Sequence, residues 1–294
     1  MNLFRSARGD SVINEEKCCD LHTHSCYSDG TYTPRELLEA ADKIGLGAIA
    51  LCDHNTVAGL DNFVDAGKDF ATEAVPGIEL STEWCGKELH IIGLYINPSH
   101  YEIIGRLVED MRREKEKSYR ECIASLKNAG YDLDYDELTS RTEGGINRAH
   151  IAAELVKLGY VASFKEAFSG LISKSGGHYN APKYLPSTEA ISFLKSIGAI
   201  TVWAHPYLSL TADEVREFLP LARAAGLDAM ETLYSKYSEE TTRIAKSAAE
   251  EFGILESGGS DFHGPIKPDV ALGVGRGNLF VPYEFLLKIK ERLK

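Results

Sequence analysis

The chain spaces histidines and carboxylates so that several side chains could share divalent metal ions. His22-Thr23-His24 lies in the stretch CDLHTH. On an extended strand residues i and i+2 face the same side, so both imidazoles would point to one place. Asp29 follows in the next loop, Asp53-His54 come directly after AIALC, and Glu79 ends AVPGIEL. His90 stands near the start of LHIIGLYI, His205 follows AITVWA, and Asp261-Phe262-His263 follow ILESGG. Imidazole and carboxylate donors together suit zinc, manganese or iron. Each residue alone would read as a helix cap or a packed histidine. The signal is their joint placement: six of the nine histidines (His22, His24, His54, His90, His205, His263) fall at strand-associated positions.

These residues need elements to bring them together. CDLHTH reads as a strand and PRELLEAADKIG as a helix, with Thr33 as its N-cap and Pro34 at its first position. LGAIALCDH follows as a strand, residues 57–72 as a helix, and AVPGIELS and LHIIGLYI as strands. After residue 186 the alternation resumes: STEAISFLKSIG, AITVWAH, ADEVREFLPLARAAG, LDAMETL, SEETTRIAKSAAEEFG, ILESGGSDFH and a closing helix PYEFLLKIKERLK. Strand–helix alternation of this kind suggests a mostly parallel sheet or barrel. In a barrel the C-terminal strand ends converge on one mouth, where function collects. All the candidate sites except His90 stand at or just past such an end.

The middle of the chain differs. From about Pro98 to Leu171 it is charge-rich, with apolar residues at helical spacing, most clearly in MRREKEKSYRECIASLKNAG. SKSGGHYNAPKYLP, residues 173–186, has the Gly, Pro and Asn content of a loop. We expect a barrel domain over 17–97 and 181–294, with 98–180 as a helical insertion that caps the substrate. The basic run MRREKEK carries interleaved glutamates, which favour a solvated helix face over a nucleic-acid contact.

Composition narrows the partners. The formal net charge of -12 over 294 residues argues against a broad nucleic-acid surface, which needs a Lys/Arg excess. It leaves room for a small phosphorylated substrate, because bound ions dominate the charge of their own site. Cys18, Cys19, Cys26, Cys52, Cys85 and Cys122 form no CxxC pair, as expected of reduced thiols. Residues 1–16 hold no apolar run of signal-peptide length, and no segment reaches the ~18 apolar residues of a membrane span. A cytoplasmic protein is the expectation.

DLHTHSCYSDGTYTPRELLEAADKIGLGAIALCDHNTVAGL resembles the opening of the PHP (polymerase and histidinol phosphatase) family. GIELS, ELHIIGLYI, WAHP and GGSDFHG are similar to its later motifs, in order, from about Asp20 onward. The insertion resembles that of the stand-alone branch containing nucleoside-bisphosphate phosphatases, where an R-x-H element opens a helix, here Arg148-Ala149-His150. Two departures are Cys26, where Ser, Thr or Ala is commoner, and HYNAP, where the branch more often has Tyr-Val-Pro.

The resemblance implies an α/β fold, a distorted (β/α)7 TIM-like barrel with a mostly helical insertion, around three divalent ions (Mn, Fe or Zn). The first ion would use His22, His24, Glu79 and Asp261. The second would use Glu79 as a bridge with His90 and His205, and the third Asp29, His54 and His263. Such ions lower the pKa of coordinated water toward ~7, supplying hydroxide to attack a phosphate ester. His205 and His263 are candidates for proton transfer. Asp53 is a candidate for orienting His54 or a bound water. Arg148 and His150 are candidates for holding a substrate phosphate, with Lys183 and Arg276 as further basic candidates.

The expected reaction is phosphomonoester hydrolysis on a small nucleotide, such as the 3′-phosphate of a nucleoside 3′,5′-bisphosphate. Ring opening and dephosphorylation of a cyclic sugar phosphate is an alternative, as is 5′–3′ trimming of short RNA. The non-enzymatic alternative is a metal-binding module with a decayed site, against which the intact set of ligand types speaks.

Overall fold

The structure is a computed structural model that describes residues 17–141, 146–173 and 175–293. The reading of residues 1–16 lies outside the described residues. Seven strands form one sheet in sequence order: β1 (Cys19–Thr23), β2 (Ala48–Leu51), β3 (Glu73–Trp84), β4 (Lys87–Leu94), β5 (Ile200–Ala204), β6 (Ala229–Tyr234) and β7 (Leu255–Gly259). The chain runs α1 (Pro34–Lys43) and α2 (Leu60–Gly67) between the first three strands. Between β4 and β5 it runs α3 (Tyr101–Asn128), α4 (Tyr135–Ser140), α5 (Arg148–Lys157), α6 (Phe164–Ser169) and α7 (Ser187–Ser196). Then come α8 (Ala212–Ala225), α9 (Glu239–Phe252) and α10 (Tyr283–Lys290).

The sheet curls into a nearly closed barrel. Beyond β7 the backbone returns to β1, with Asp261 N–H donating to His22 O at 2.9 Å and His24 N–H donating to Phe262 O at 2.9 Å. Neighbouring strands are parallel except at β4, which is antiparallel to both β3 and β5. That exception follows from the tight turn at Cys85-Gly86, where both residues have positive φ and no helix intervenes. It is the distortion in the barrel.

Alternation along the strands sorts side chains to two sides. Ala48 and Ala50 join Leu21, Val75, Val202 and Ala229 in one buried cluster, to which α10 adds Phe285, Leu286 and Ile289. Ile49 and Leu51 join a second cluster with Leu37, Leu38 and Phe63 of the surrounding helices. Residues buried on both faces explain why these strands read as continuous apolar runs. The helix starts are written locally: Thr33 and Glu36 form a capping box at α1, with Pro34 at its first position. The helix read over 57–72 is confined to Leu60–Gly67, with Gly59 at its N-cap.

Helices α3 to α6 pack on a core of their own that includes Cys122, Ile123, Leu126, Ile151, Leu155 and Ile172. Arginines of α3 pair along their own helix: Arg112 and Arg113 with Glu109, and Arg120 with Glu116, at 2.7–3.0 Å. All six cysteines are free, and burial pushes the Cys122 thiol up to about 11. Among the described residues no helix is long and apolar enough to cross a membrane.

Candidate metal centre

The nine histidines and carboxylates expected to share ions converge on the mouth of the barrel. His22, one residue from the end of β1, and His24, just past it, bring their Nε2 atoms within 3.1 Å of each other. Glu79 reaches inward from β3 and is fully buried. Its Oε2 lies 3.2 Å from His22 Nε2, 3.4 Å from His24 Nε2 and 3.0 Å from His54 Nδ1. Its Oε1 lies 2.9 Å from His90 Nδ1 and 3.1 Å from His205 Nε2. Asp261 Oδ1 stands 3.2 Å from His24 Nε2 and 3.9 Å from His22 Nε2. On the outer side Asp29 lies 3.2 Å from His263 Nε2 and 3.9 Å from His54 Nε2.

The antiparallel β4 accounts for His90, the one candidate that the sequence places near the start of a strand. Pairing of His90 with Ser81 of β3 and Ala204 of β5 sets the first half of β4 beside the last halves of its neighbours. The reversed direction therefore brings an early residue to the same mouth.

Local backbone strain helps aim the donors. His205 (φ 31), directly after β5, and Asp261 (φ 57), two residues past β7, adopt left-handed conformations. Non-glycine residues hold such conformations only where their surroundings fix them, and functional sites are where they collect. Close approach of β7 to β1 is needed as well. A Cβ on Gly259 would stand 2.4 Å from the Cβ of His22 and 2.6 Å from its backbone nitrogen, so only glycine fits there.

The donor set fits cations. Buried His24 Nδ1, His54 Nδ1 and Glu79 Oε2 have no hydrogen-bond partner despite their close neighbours. Nitrogen and oxygen lone pairs aimed at one another need a positive charge between them, and buried polar groups are otherwise paired. Four groups of donors lie within 4.8 Å of one another: His24, Asp29, His54 and His263; His22, Glu79 and His205; His22, His24 and Asp261; His54, Glu79 and His90. The groups overlap: Glu79, with two oxygens, could bridge two ions, while His22, His24 and His54 could each serve either of two.

Electrostatics of the bare centre agree. Burial opposes ionisation of Glu79, yet His22, His90 and His54 hold its carboxyl well below the usual range. Burial likewise opposes ionisation of Asp29 and Asp261, and the imidazoles around them hold both low. Burial disfavours the charged form of His22, but Glu79 and Glu231 outweigh it and raise its pKa well above the ordinary value. His90, opposed by burial but drawn by Glu79, rises to about 10. Burial pushes His24 down to about 3, which leaves it neutral and able to donate a lone pair. In the bare centre protons on His22 and His90 stand in for metal charge, so ion binding must displace them.

Supporting residues absent from the sequence reading complete the centre. Glu231, buried in β6, accepts from His22 Nδ1 at 3.0 Å and from the His205 backbone N–H at 2.7 Å. Tyr234 donates to Asp261 Oδ2 at 2.8 Å. Asp20 accepts from the backbone N–H groups of Ser260 (2.8 Å) and Gly273 (2.9 Å), tying the segment that carries Asp261 and His263 to β1. Lys267 sets its Nζ 3.0 Å from His263 Nε2. A carboxylate inside the apolar run LDAMETL was the available signal for Glu231; nothing local pointed to Lys267.

The remaining sequence candidates scatter. Asp53, expected to orient His54 or a water, instead accepts from Ser25 N–H (2.8 Å), Ser25 Oγ (2.6 Å) and Ser28 Oγ (2.6 Å). It pins the loop that carries Asp29. Arg148 stands over two aromatic rings, its guanidinium carbon 4.3 Å from the Tyr179 centroid and 4.9 Å from that of Phe168. It donates to Ile172 O at 3.1 Å, and its buried Nε has no partner. It lines a cavity of about 190 Å³ with Glu88, Tyr179 and Tyr184, and Glu88 Oε1 lies 3.3 Å from His90 Nε2. His150 turns away from that cavity: its Nδ1 accepts from Asn147 N–H at 3.1 Å in a capping box. Lys183 is exposed beside α3 and α7. Arg276 pairs with Asp269 at 2.5 Å in the loop before α10.

Known proteins decide the family. The PHP domain matches residues 20–197. The chain belongs to the PHP family. A 5′-3′ exoribonuclease of Haemophilus influenzae is 33% identical over 247 residues, covering 84% of this chain and 90% of that protein. A 3′,5′-nucleoside bisphosphate phosphatase of Chromobacterium violaceum is 28% identical over 249 residues, covering 84% of this chain and 87% of that protein. The crystal structure of a proposed metal-dependent phosphoesterase from Bifidobacterium adolescentis superposes with a TM-score of 0.69 at 26% identity, over 94% of this chain and 96% of that one. This PHP protein is an enzyme, a metal-dependent hydrolase of phosphate esters.

Proposed function

We propose that this PHP enzyme removes the phosphate of small nucleotide monoesters, such as the 3′-phosphate of a nucleoside 3′,5′-bisphosphate, over three divalent ions of manganese, iron or zinc. One observation supports the choice: Arg148 lines a small cavity close to the metal centre, beside Glu83 and Glu88. Arg148 faces a small cavity whose wall, Glu88, also contacts the candidate ligand His90. A bisphosphate needs two anion sites separated by one ribose. Its reacting phosphate would lie at the barrel mouth, and its other phosphate would meet the unpartnered Nε of Arg148. Tyr179 and Tyr184 give the cavity aromatic walls suited to a nucleoside.

His22, His24, Glu79 and Asp261 would hold the first ion, Glu79, His90 and His205 the second, and Asp29, His54 and His263 the third. When bound, the ions would activate water at neutral pH and offset phosphoryl charge. The rest is the work of this chain. Glu231 fixes the ring of His22, Tyr234 fixes Asp261, and Asp53 holds the loop bearing Asp29. The helical segment 98–180 acts as a cap that brings Arg148 to the substrate. His205 and His263 turn ring nitrogens toward carboxylates of the centre, so we assign them as ligands first, with proton transfer secondary.

The identity to an exoribonuclease favours a second reading, release of nucleotides from the 5′ end of short RNA. Against it, Arg112, Arg113 and Arg120 of α3 are paired with glutamates of their own helix. The test is phosphate release from adenosine 3′,5′-bisphosphate by chelator-stripped protein given back manganese, beside His22→Ala. Metal-dependent release, lost in the variant, supports the bisphosphate reading. No release, together with nucleotide release from a 5′-phosphorylated oligoribonucleotide, would replace it with the second.

A further inference from the structure

The loop after β7 carries a lysine into the metal centre. Lys267 follows the short turn Gly264–Ile266, and its Nζ lies 3.0 Å from His263 Nε2 and 3.5 Å from Asp261 Oδ2. An ammonium has donors and no acceptor, so His263 Nε2 is the acceptor in that contact. The other ring nitrogen, Nδ1, lies 2.8 Å from the carbonyl oxygen of Asp261 and can only donate to it. With Nδ1 donating, His263 turns its single lone pair into the gap between Lys267 Nζ, 3.0 Å away, and Asp29 Oδ1, 3.2 Å away. That lone pair belongs to the donor group of His24, Asp29, His54 and His263, and it is the one His263 would offer an ion. Among the described residues Asp261 is the one carboxylate within ion-pair distance of Lys267. The ammonium is thus held by the centre itself, and its side chain remains about a third exposed at 34%, with room to move outward.

We propose that Lys267 is a tethered cation that competes with the third divalent ion for His263. With the outer donors short of an ion, Lys267 takes the lone pair of His263 and part of the charge of Asp261. When the ion binds, the ammonium is displaced toward solvent. The consequence is a centre whose last ion is held more loosely than its donor set alone would give. This inference rests on the three-ion reading above.

The experiment is equilibrium dialysis of chelator-stripped wild type and Lys267→Met against a manganese series, with bound metal counted by elemental analysis. Melting temperatures in chelator are measured alongside. Both chains are expected to reach three ions, and the variant to bind the weakest ion about tenfold more tightly, since a charged hydrogen bond no longer competes. A wild type that stops at two ions where the variant reaches three also supports the competition. Equal or weaker affinity for the last ion in the variant overturns it while leaving the three-ion reading intact. Fewer than three ions in both chains overturns the three-ion reading and this inference with it. Should Lys267→Met melt lower in chelator, Lys267→Gln takes its place under the same criteria.

Discussion

Glu73 and Glu79 stand on the same strand, and their carboxylates sit in opposite kinds of company. Glu73, at the first residue of β3, accepts from Lys290 Nζ at 2.8 and 3.0 Å, from Tyr95 OH at 2.9 Å and from Tyr283 OH at 3.0 Å. Every neighbour is a donor, and the group is complete. Glu79, nearer the barrel mouth, is surrounded by five imidazoles, and its Oε2 has no aligned hydrogen bond at all. A buried carboxylate is tolerated only when its charge is answered. At Glu73 the protein answers it with its own side chains. At Glu79 the bare chain answers it only with imidazoles, whose lone pairs a metal ion would claim. One glutamate fastens the fold, the other waits for a cofactor, and their partners tell them apart where residue type does not.

The sharpest way to break this comparison is Glu79→Gln. The amide keeps the shape and removes the bridging charge. We expect kcat/KM for phosphate release to fall by about a thousandfold or more, roughly 4 kcal/mol of transition-state stabilisation, with fewer ions bound per chain. Activity within tenfold of wild type would show that Glu79 bridges nothing. Glu231→Gln is the next step down, since Glu231 acts only through His22 and the His205 backbone. Manganese affinity should fall about 10–100-fold, read by competition with a chelating dye, while the melting temperature in chelator changes little.

How far the sequence foretold the centre depends on what each residue needed. HxH spacing, strand ends and the family motifs picked out nine candidate donors that the fold brings together, because each stands at or beside a rigid strand. His90 fitted poorly in one dimension, since the direction of β4 is set by the turn at Cys85-Gly86 and not by the strand itself. Thr33 and Pro34 marked the start of α1 correctly, because a cap is a local interaction. Glu231 and Lys267 went unread. The partner of Glu231, His22, is 209 positions away in sequence, and Lys267 differs from any solvated lysine only through the fold. Asp53 was found, but its partners Ser25 and Ser28 come from a distant loop and set a role that spacing could not show.

Arg148 extends the comparison to the helical segment. Its guanidinium is half satisfied: one nitrogen donates to Ile172 O, two aromatic ring centroids lie 4.3 and 4.9 Å from its carbon, and Nε is left over. By the logic of Glu79, the open valence marks the side turned to a ligand. Arg148→Ala should raise KM for the bisphosphate about tenfold or more and leave KM for a simple monoester such as p-nitrophenyl phosphate nearly unchanged. Equal losses on both substrates would reduce Arg148 to packing against Tyr179 and Phe168.

The smallest effect expected is at Glu73, and it completes the contrast. Glu73→Gln should leave phosphate release and metal count at wild-type levels while lowering stability by about 1 kcal/mol, the scale of a partly exposed charged network. The pH dependence gives the sign. Burial opposes ionisation of Glu73, but Lys290, Tyr95 and Tyr283 more than offset it and hold its pKa below the ordinary glutamate value. A carboxyl whose folded pKa is depressed contributes stability above its unfolded pKa and loses it as pH falls through the folded one. The stability gap between wild type and Glu73→Gln, measured by urea denaturation in chelator, should therefore be full near pH 7. It should close as the pH drops below about 4. A gap that persisted in acid would mean that Glu73 contributes by shape and not by charge, and the two ends of β3 would then differ in more than the source of their cations.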